Sequence, residues 1–350
     1  MRKSDVSRLK KVAKNRALAI VDGTGYVKDG KITSTDLETT ITLQCDIKGE
    51  GVINLADIEK PYSEAWIDGR FLYVKRNGAV MKNATHDATV FPKILTPPAD
   101  TSYFNFDQSA EIKTLSTFTL KDEVRLVMGG VFIGNDEMTA TDAHRLMWVK
   151  LNSQSPFEKL IIPALTASVL GDWSYQVTAD ESNAFFVNET EIVSCRLIDG
   201  RYPNYKSVIP AYKITFSCNR KALVGHVENA LQATNKNTKA VALIFKNNII
   251  RVEGCNLEEN KEYTAEIAQS AENAKEVSIA FNGKLLLSVL QAIKTEIVSI
   301  KCEEAKRAAI FNDNVLLMPV MHDFTAKPKE NPSIQPEENT VENTEAAEVA

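Results

Sequence analysis

The sequence predicts an α+β protein built from three copies of one module, with short helices on one face of antiparallel sheets and an acidic tail at the end. Three markers, recurring in the same order, lead to that reading. A hairpin whose strands meet at a polar corner comes round at Asp36, Asp142 and Asn256. An apolar strand that feeds a helix comes round at Asn54, Pro163 and Asn282, and a proline closes each unit at Pro92, Pro203 and Pro319. Each set repeats at roughly 110 residues, close to the usual size of a domain. One set alone is weak, because short strand patterns recur by chance. Three sets in one order are not.

Taken in order, the elements justify the assignment. The chain opens on a helical pattern in which Val6, Leu9 and Ala13 make a thin apolar stripe. Lys3, Lys10 and Lys14 share another face, with Arg8, Lys11 and Arg16 nearby and Asp5 the lone acid. The hairpins read as KDGKITSTDLETTITL, GNDEMTATDAHRLMWV and KNNIIRVEGCNLEENKEYTAEI. An Asp or Asn suits their corners because its side chain bonds nearby backbone amides. The strand-to-helix pieces are VINLADIEK, LIIPALTASVLGDW and SIAFNGKLLLSVLQAIK. The second unit opens on DQSAEIKTLSTF, and the third on SCNRKALVGHVENALQATNK, where Leu223, Val227, Ala230 and Leu231 form the buried stripe. Helices beside half-buried antiparallel strands make an α+β module. The expected units are residues 1–100, 101–213 and 214–325. The stretch 326–350, rich in Pro, Glu, Asn and Thr, has too little apolar surface to offset its ordering entropy and is expected to be disordered.

Composition excludes several classes. A hydrophobic fraction of 44% and a charged fraction of 25% describe an ordinary globular chain. No run approaches the roughly 18 apolar residues that span a bilayer. The basic N-terminus has no apolar signal core after it, so a cytoplasmic location is expected. Five cysteines, none in a CxxC pair, argue against a disulfide framework or structural zinc. The net charge of −5 is concentrated in the tail, where Lys327 and Lys329 face six glutamates and account for four of those charges. The nearly neutral remainder can still present one basic face, and local potential governs contact with nucleic acid.

TATDAHRLMW invites a catalytic reading, since Asp142, His144 and Arg145 are ionisable. Catalysis needs a nucleophile, a base and an orienting group on one reacting atom. The chain supplies no GxSxG, Walker loop or HExxH to complete such a set. The corner therefore reads more readily as structural or interfacial, with a hydrolase or transferase as the alternative. The four histidines lack metal-ligand spacing, and no cofactor is expected. LLMPVM reads first as a core strand; the rim of an adaptable hydrophobic groove is the other reading, because methionine is flexible and polarizable. The basic first helix is either a solvated face or a DNA contact.

Together ATDAHRL, SCRLIDGRYPNYKSVIP, IAFN with its following helix, and LLMPVM resemble the β sliding clamp of bacterial DNA polymerase III. The resemblance runs from about Phe104 to Met321. It is weaker in the first unit, where VKDGKITSTDLE and VFPKI fit. It implies three DNA-clamp modules per chain in a head-to-tail homodimeric ring, with sheets outside and helices lining the pore. Such a non-catalytic processivity factor encircles duplex DNA and tethers the polymerase and clamp loader through a peptide groove. Matched motif by motif, the groove takes Met128, Thr141, His144, Arg145, Leu146, Pro203, Val208, Asn282, Leu285, Leu316, Leu317, Met318, Pro319 and Val320. On charge and position, Lys10, Lys14, Arg16, Arg125, Lys221 and Lys236 are the DNA-facing candidates. A clamp-fold scaffold that no longer loads on DNA is a further alternative. Ala143 stands where the family usually has Gly, Ser207 where an Arg is common, and Leu285 and Thr238 where aromatics often border the groove. The acidic tail is a further departure, pointing to a divergent member.

Overall fold

A computed structural model describes residues 1–14, 21–99, 102–122, 124–272 and 276–321. The expected disordered tail and Arg16 lie outside these residues. Helix α1 (Lys3–Val12) buries Val6, Leu9 and Val12, with Ala13 just past its end also buried. Four strands follow: β1 (Thr24–Lys28), β2 (Lys31–Thr35), β3 (Thr39–Gln44) and β4 (Gly51–Asn54). The Asn54 side chain then caps a single 3-10 turn, Leu55–Ile58. Three more strands, β5 (Glu64–Asp68), β6 (Phe71–Arg76) and β7 (Ala79–Ala84), make a sheet of their own.

The next stretch begins with β8 (Phe104–Phe106) and α2 (Ser109–Ser116). It continues through β9 (Gly130–Ile133), β10 (Glu137–Thr141), β11 (Arg145–Lys150) and β12 (Leu160–Pro163). Helix α3 (Ala164–Val169) leads to β13 (Tyr175–Ala179), β14 (Asn183–Val187) and β15 (Glu191–Arg196). The last stretch repeats that order. Strand β16 (Thr215–Asn219) and α4 (Arg220–Gln232) precede β17 (Ala240–Lys246), β18 (Ile249–Asn256), β19 (Lys261–Glu272) and β20 (Val277–Asn282). Helix α5 (Gly283–Ala292) then leads to β21 (Ile297–Lys301), β22 (Ala309–Phe311) and β23 (Val315–Leu317). In the first stretch the opening strand is missing from the described residues, and a 3-10 turn replaces the second helix.

Antiparallel pairing stitches successive stretches together. One eight-stranded sheet runs β4-β1-β2-β3-β15-β14-β13-β8, and its seam pairs Thr39–Leu43 with Glu191–Cys195. A twelve-stranded sheet runs β12-β9-β10-β11-β23-β22-β21-β16-β19-β18-β17-β20, with its seam between Arg145–Met147 and Val315–Leu317. The second strand of a hairpin thus receives the final strand of the following stretch at both seams. Helices pack on the sheets in pairs, α2 on α3 and α4 on α5, while α1 lies on β2 and β3 and reaches α3. Close approach of α4 to β18 depends on Gly254, where a Cβ would stand 2.2 Å from the Ala230 carbonyl oxygen. Among the described residues, no helix is long and apolar enough to cross a membrane.

Candidate functional site

The second seam is built around the corner Thr141–Arg145. Asp142 is buried, and its Oδ1 accepts the backbone N–H groups of His144 (3.0 Å) and Arg145 (2.9 Å). The corner at Asp36 uses the same bonds, to Glu38 (3.0 Å) and Thr39 (2.6 Å), and Asn256 repeats them to Glu258 and Glu259. This local bonding is what turns the chain between the two hairpin strands. The residue after the Asp takes a left-handed backbone at two of the corners, with Leu37 at φ 80° and Ala143 at φ 73°.

Arg145 ties the corner to its surroundings. Its Nε donates to Asp142 Oδ2 at 2.8 Å, Nη1 to Ser288 Oγ in α5 at 2.5 Å, and Nη2 to the Thr117 carbonyl at 2.6 Å. The guanidinium also lies 4.6 Å from the centre of the Phe118 ring. These bonds commit both Asp142 oxygens and all three Arg145 nitrogens to holding the seam. Asp142 and Arg145 thus do structural work at this corner, while the His144 side chain is exposed.

Beside this corner opens a cavity of about 790 Å³. Met128, Thr141, Arg145, Leu146, Pro203, Val208, Leu316 and Met318 all line it. Strand alternation explains the floor: Leu146 pairs with Leu316, and both point into a small apolar cluster with Ile161, Tyr202, Tyr205 and Ala308. Leu317, one position on, points the other way into the main core, so its expected place in the groove is corrected. His144 is exposed and outside the cavity lining, but its carbonyl accepts the Met318 N–H at 2.8 Å and fixes that strand end. Asn282, Leu285, Pro319 and Val320 also lie outside the lining. Asn282 caps α5 through the Lys284 and Leu285 amides, and Val320 donates its N–H to the neighbouring Ala280 carbonyl at 2.8 Å. Thr238 is exposed in the turn after α4, away from the cavity.

Sequence reasoning missed part of the wall. Tyr205, Ile209, Pro210 and Ala211 join the lining, as do Lys306, Arg307 and Ala308 from the loop before β22. The run YPNYKSVIPAY carried a signal for the first set in its Pro and aromatic content. The second set had none, because only strand pairing brings that loop to the cavity.

The basic candidates separate into distinct places. Lys14 and Lys221 are exposed, the former just beyond α1 and the latter in the first turn of α4. Lys10 meets Glu59 at 2.9 Å, and Lys236 lies exposed, 3.8 Å from Glu259. Arg125 departs from expectation: it lines the groove, 3.9 Å from Asp122. Arg8 is no part of a free basic face. It forks onto Glu191 of β15 with bonds of 2.7 and 2.8 Å and donates to the Val169 carbonyl at 2.7 Å. Among the described residues no group of three or more His, Cys, Asp or Glu side chains is placed to hold a metal ion.

Comparison with known proteins agrees with this architecture. Residues 206–316 match the family described as DNA polymerase III beta subunit, C-terminal domain. The Beta sliding clamp of Halalkalibacterium halodurans is 25% identical over 325 residues, covering 80% of this chain and 83% of the relative. That of Pseudomonas aeruginosa is 24% identical over 350 residues, covering 86% and 90%. The DNA polymerase III beta subunit structure from Thermotoga maritima superimposes with a TM-score of 0.77 at 21% identity, covering 92% of this chain and 97% of that one. A Pseudomonas aeruginosa sliding clamp bound to griselimycin gives a TM-score of 0.76 at 20% identity, covering 92% and 98%. Fold, repeated seams and motif order converge on the beta sliding clamps as the proteins this chain is similar to, and residues 206–316 match the C-terminal domain of that family.

Proposed function

We propose that this protein is a DNA sliding clamp, a ring that encircles duplex DNA and holds a replicative polymerase and its clamp loader to it, with no catalytic step of its own. Residues 1–100, 101–213 and 214–325 act as three modules forming half the ring, and a second copy joined head to tail supplies the other half. The observation that carries this reading is the rule shared by the two seams. In each, a hairpin's second strand (β3 or β11) receives the last strand of the next module (β15 or β23). Continued once more, the rule gives β19 a β7 from a second chain. Among the described residues both edges are open: β7 ends its sheet, and Lys261–Ala268 of β19 pair only with β18. Open edges call for a partner, and a heterologous contact that closes makes a ring. Charge suits the match, with Lys75 and Lys82 on the β6–β7 hairpin and Glu262 and Glu266 on β19.

Lys10, Lys14, Arg16, Lys221 and Lys236 remain the candidates for phosphate contact in the pore, which reads no base sequence and so permits sliding. Arg125 moves to the groove, where apolar walls give affinity for a short hydrophobic peptide and few polar groups set its direction. A cytoplasmic location belongs to the same reading. Light scattering is expected to give the mass of a dimer at micromolar concentration. Once loaded, the protein is expected to persist on circular DNA and run off linear DNA; equal retention on both contradicts encirclement. Met318→Lys, at a side chain 42% exposed, is expected to leave the dimer intact. It should weaken binding of a fluorescent Leu- and Phe-bearing heptapeptide by about tenfold, equivalent to ~1.4 kcal/mol.

A further inference from the structure

Binding an apolar peptide does not require a charged groove, yet this one is cationic. Arg125, Arg145, Lys306 and Arg307 line it, and among the described residues no acidic side chain does. Arg145 is engaged at the seam. Arg125 and Arg307 lie 3.9 and 3.6 Å from Asp122 and Glu304, which are exposed carboxylates three residues earlier in the chain. Pairs of that kind are held weakly in water and exchange readily. Lys306 is exposed. An anionic occupant can therefore find up to three cations, Arg125, Lys306 and Arg307, along the lining of an apolar trough.

The chain itself carries such an anion. The described fold ends at Met321, three residues past Met318 in the groove wall, and the Val320–Ala280 bond fixes the point of departure. Residues 330–350 hold six glutamates and no Lys or Arg, with Ile334, Val341 and Val349 spaced among them. Ile334 is thirteen residues past Met321. At ~3.3 Å per extended residue it can reach any point within about 40 Å of that exit. A segment tethered so closely faces the groove at an effective concentration on the order of millimolar.

We propose that the acidic segment 330–350 is an intramolecular occupant of the groove. Its glutamates dock on Lys306, Arg307 and Arg125, and its scattered apolar residues cover part of the trough. This rests on the reading of the cavity as a peptide groove and adds a regulator to it. The tail competes with partner peptides, so only those with stronger apolar anchors displace it, and the competition weakens as salt rises.

The test compares the unaltered chain with a full-length variant in which Glu330, Glu337, Glu338, Glu342, Glu345 and Glu348 are changed to Gln. The probe is a fluorescein-labelled peptide of residues 330–350, read by anisotropy. It is expected to bind the Gln-tail chain at least ~10-fold more tightly than the unaltered chain, a difference that fades near 0.5 M salt. Adding Lys306→Glu and Arg307→Glu to the Gln-tail chain should abolish the binding. In methyl NMR the Met128 and Met318 signals should differ between the two chains, while the core residue Met138 should not move. Equal peptide affinity, or superimposable Met128 and Met318 signals, overturns the proposal. The Leu- and Phe-bearing heptapeptide separates two kinds of failure. If it moves both methyls while the tail moves neither, the groove stands and its internal occupant falls; if nothing moves them, both readings fall.

Discussion

Ala143 holds a left-handed backbone with φ 73°, a conformation that costs an L-residue with a Cβ roughly 1–2 kcal/mol. Glycine removes that cost but gives the unfolded chain about 0.4–1 kcal/mol more entropy to lose. Ala143→Gly is therefore expected to stabilise the protein by about 0.5–1 kcal/mol, seen as a raised urea midpoint. The family's glycine at this position was legible in the sequence as a departure; its backbone reason was not, because φ is set by the Asp142 turn. Cysteines give a second prediction at this scale. Burial pushes the thiols of Cys195, Cys218 and Cys302 up to about 12, so almost no thiolate forms at pH 8. Native labelling at pH 8 is expected to spare these three, and unfolding in urea to expose them. Labelling of Cys195 in the folded chain at the rate seen in urea runs against this burial.

At the scale of elements, α1 shows what a charge count misses. Its basic residues read as one face, yet Arg8 reaches across the first seam to Glu191, whose side chain is 2% exposed. Glu191 also accepts the Tyr175 hydroxyl, and the Thr39 and Thr166 hydroxyls meet at 2.8 Å across the same seam. Removing one partner of a buried pair leaves an uncompensated charge. Arg8→Ala is expected to cost about 3–5 kcal/mol in chemical denaturation, and Arg8→Met combined with Glu191→Gln to recover much of it. If the double variant is no more stable than the single one, the pair does not explain the loss. The second seam uses a different device, Arg145 bonded to Ser288 and Asp142, so a single strand-pairing rule is secured by unrelated side chains. The strand rule follows from repeated hairpin patterns, which a sequence displays. The side-chain locks join residues far apart in the chain, which it does not.

For the whole molecule, the proposed assembly turns on the edges of β7 and β19 that are open among the described residues. Lys82→Glu faces acidic residues in the proposed pairing, so it is expected to weaken the dimer by tenfold or more, measured by sedimentation at low salt. Combination with Glu262→Lys should restore part of that loss. A monomeric wild-type chain under the same conditions leaves the edges without a role. The neutral body of the chain agrees with this arrangement, since charge is distributed by surface and not by total.

By itself the sequence determined the repeated α+β architecture, the polar corners and the apolar character of the closing strand. Each of these is written in local period or in side chains that bond their own backbone. Only the tertiary structure decided that Arg8 and Arg145 fasten the seams, that Leu317 faces the core, and that Lys306 and Arg307 border the groove. These depend on strand pairing between residues more than a hundred positions apart, where a shift of one residue turns every side chain to the opposite face.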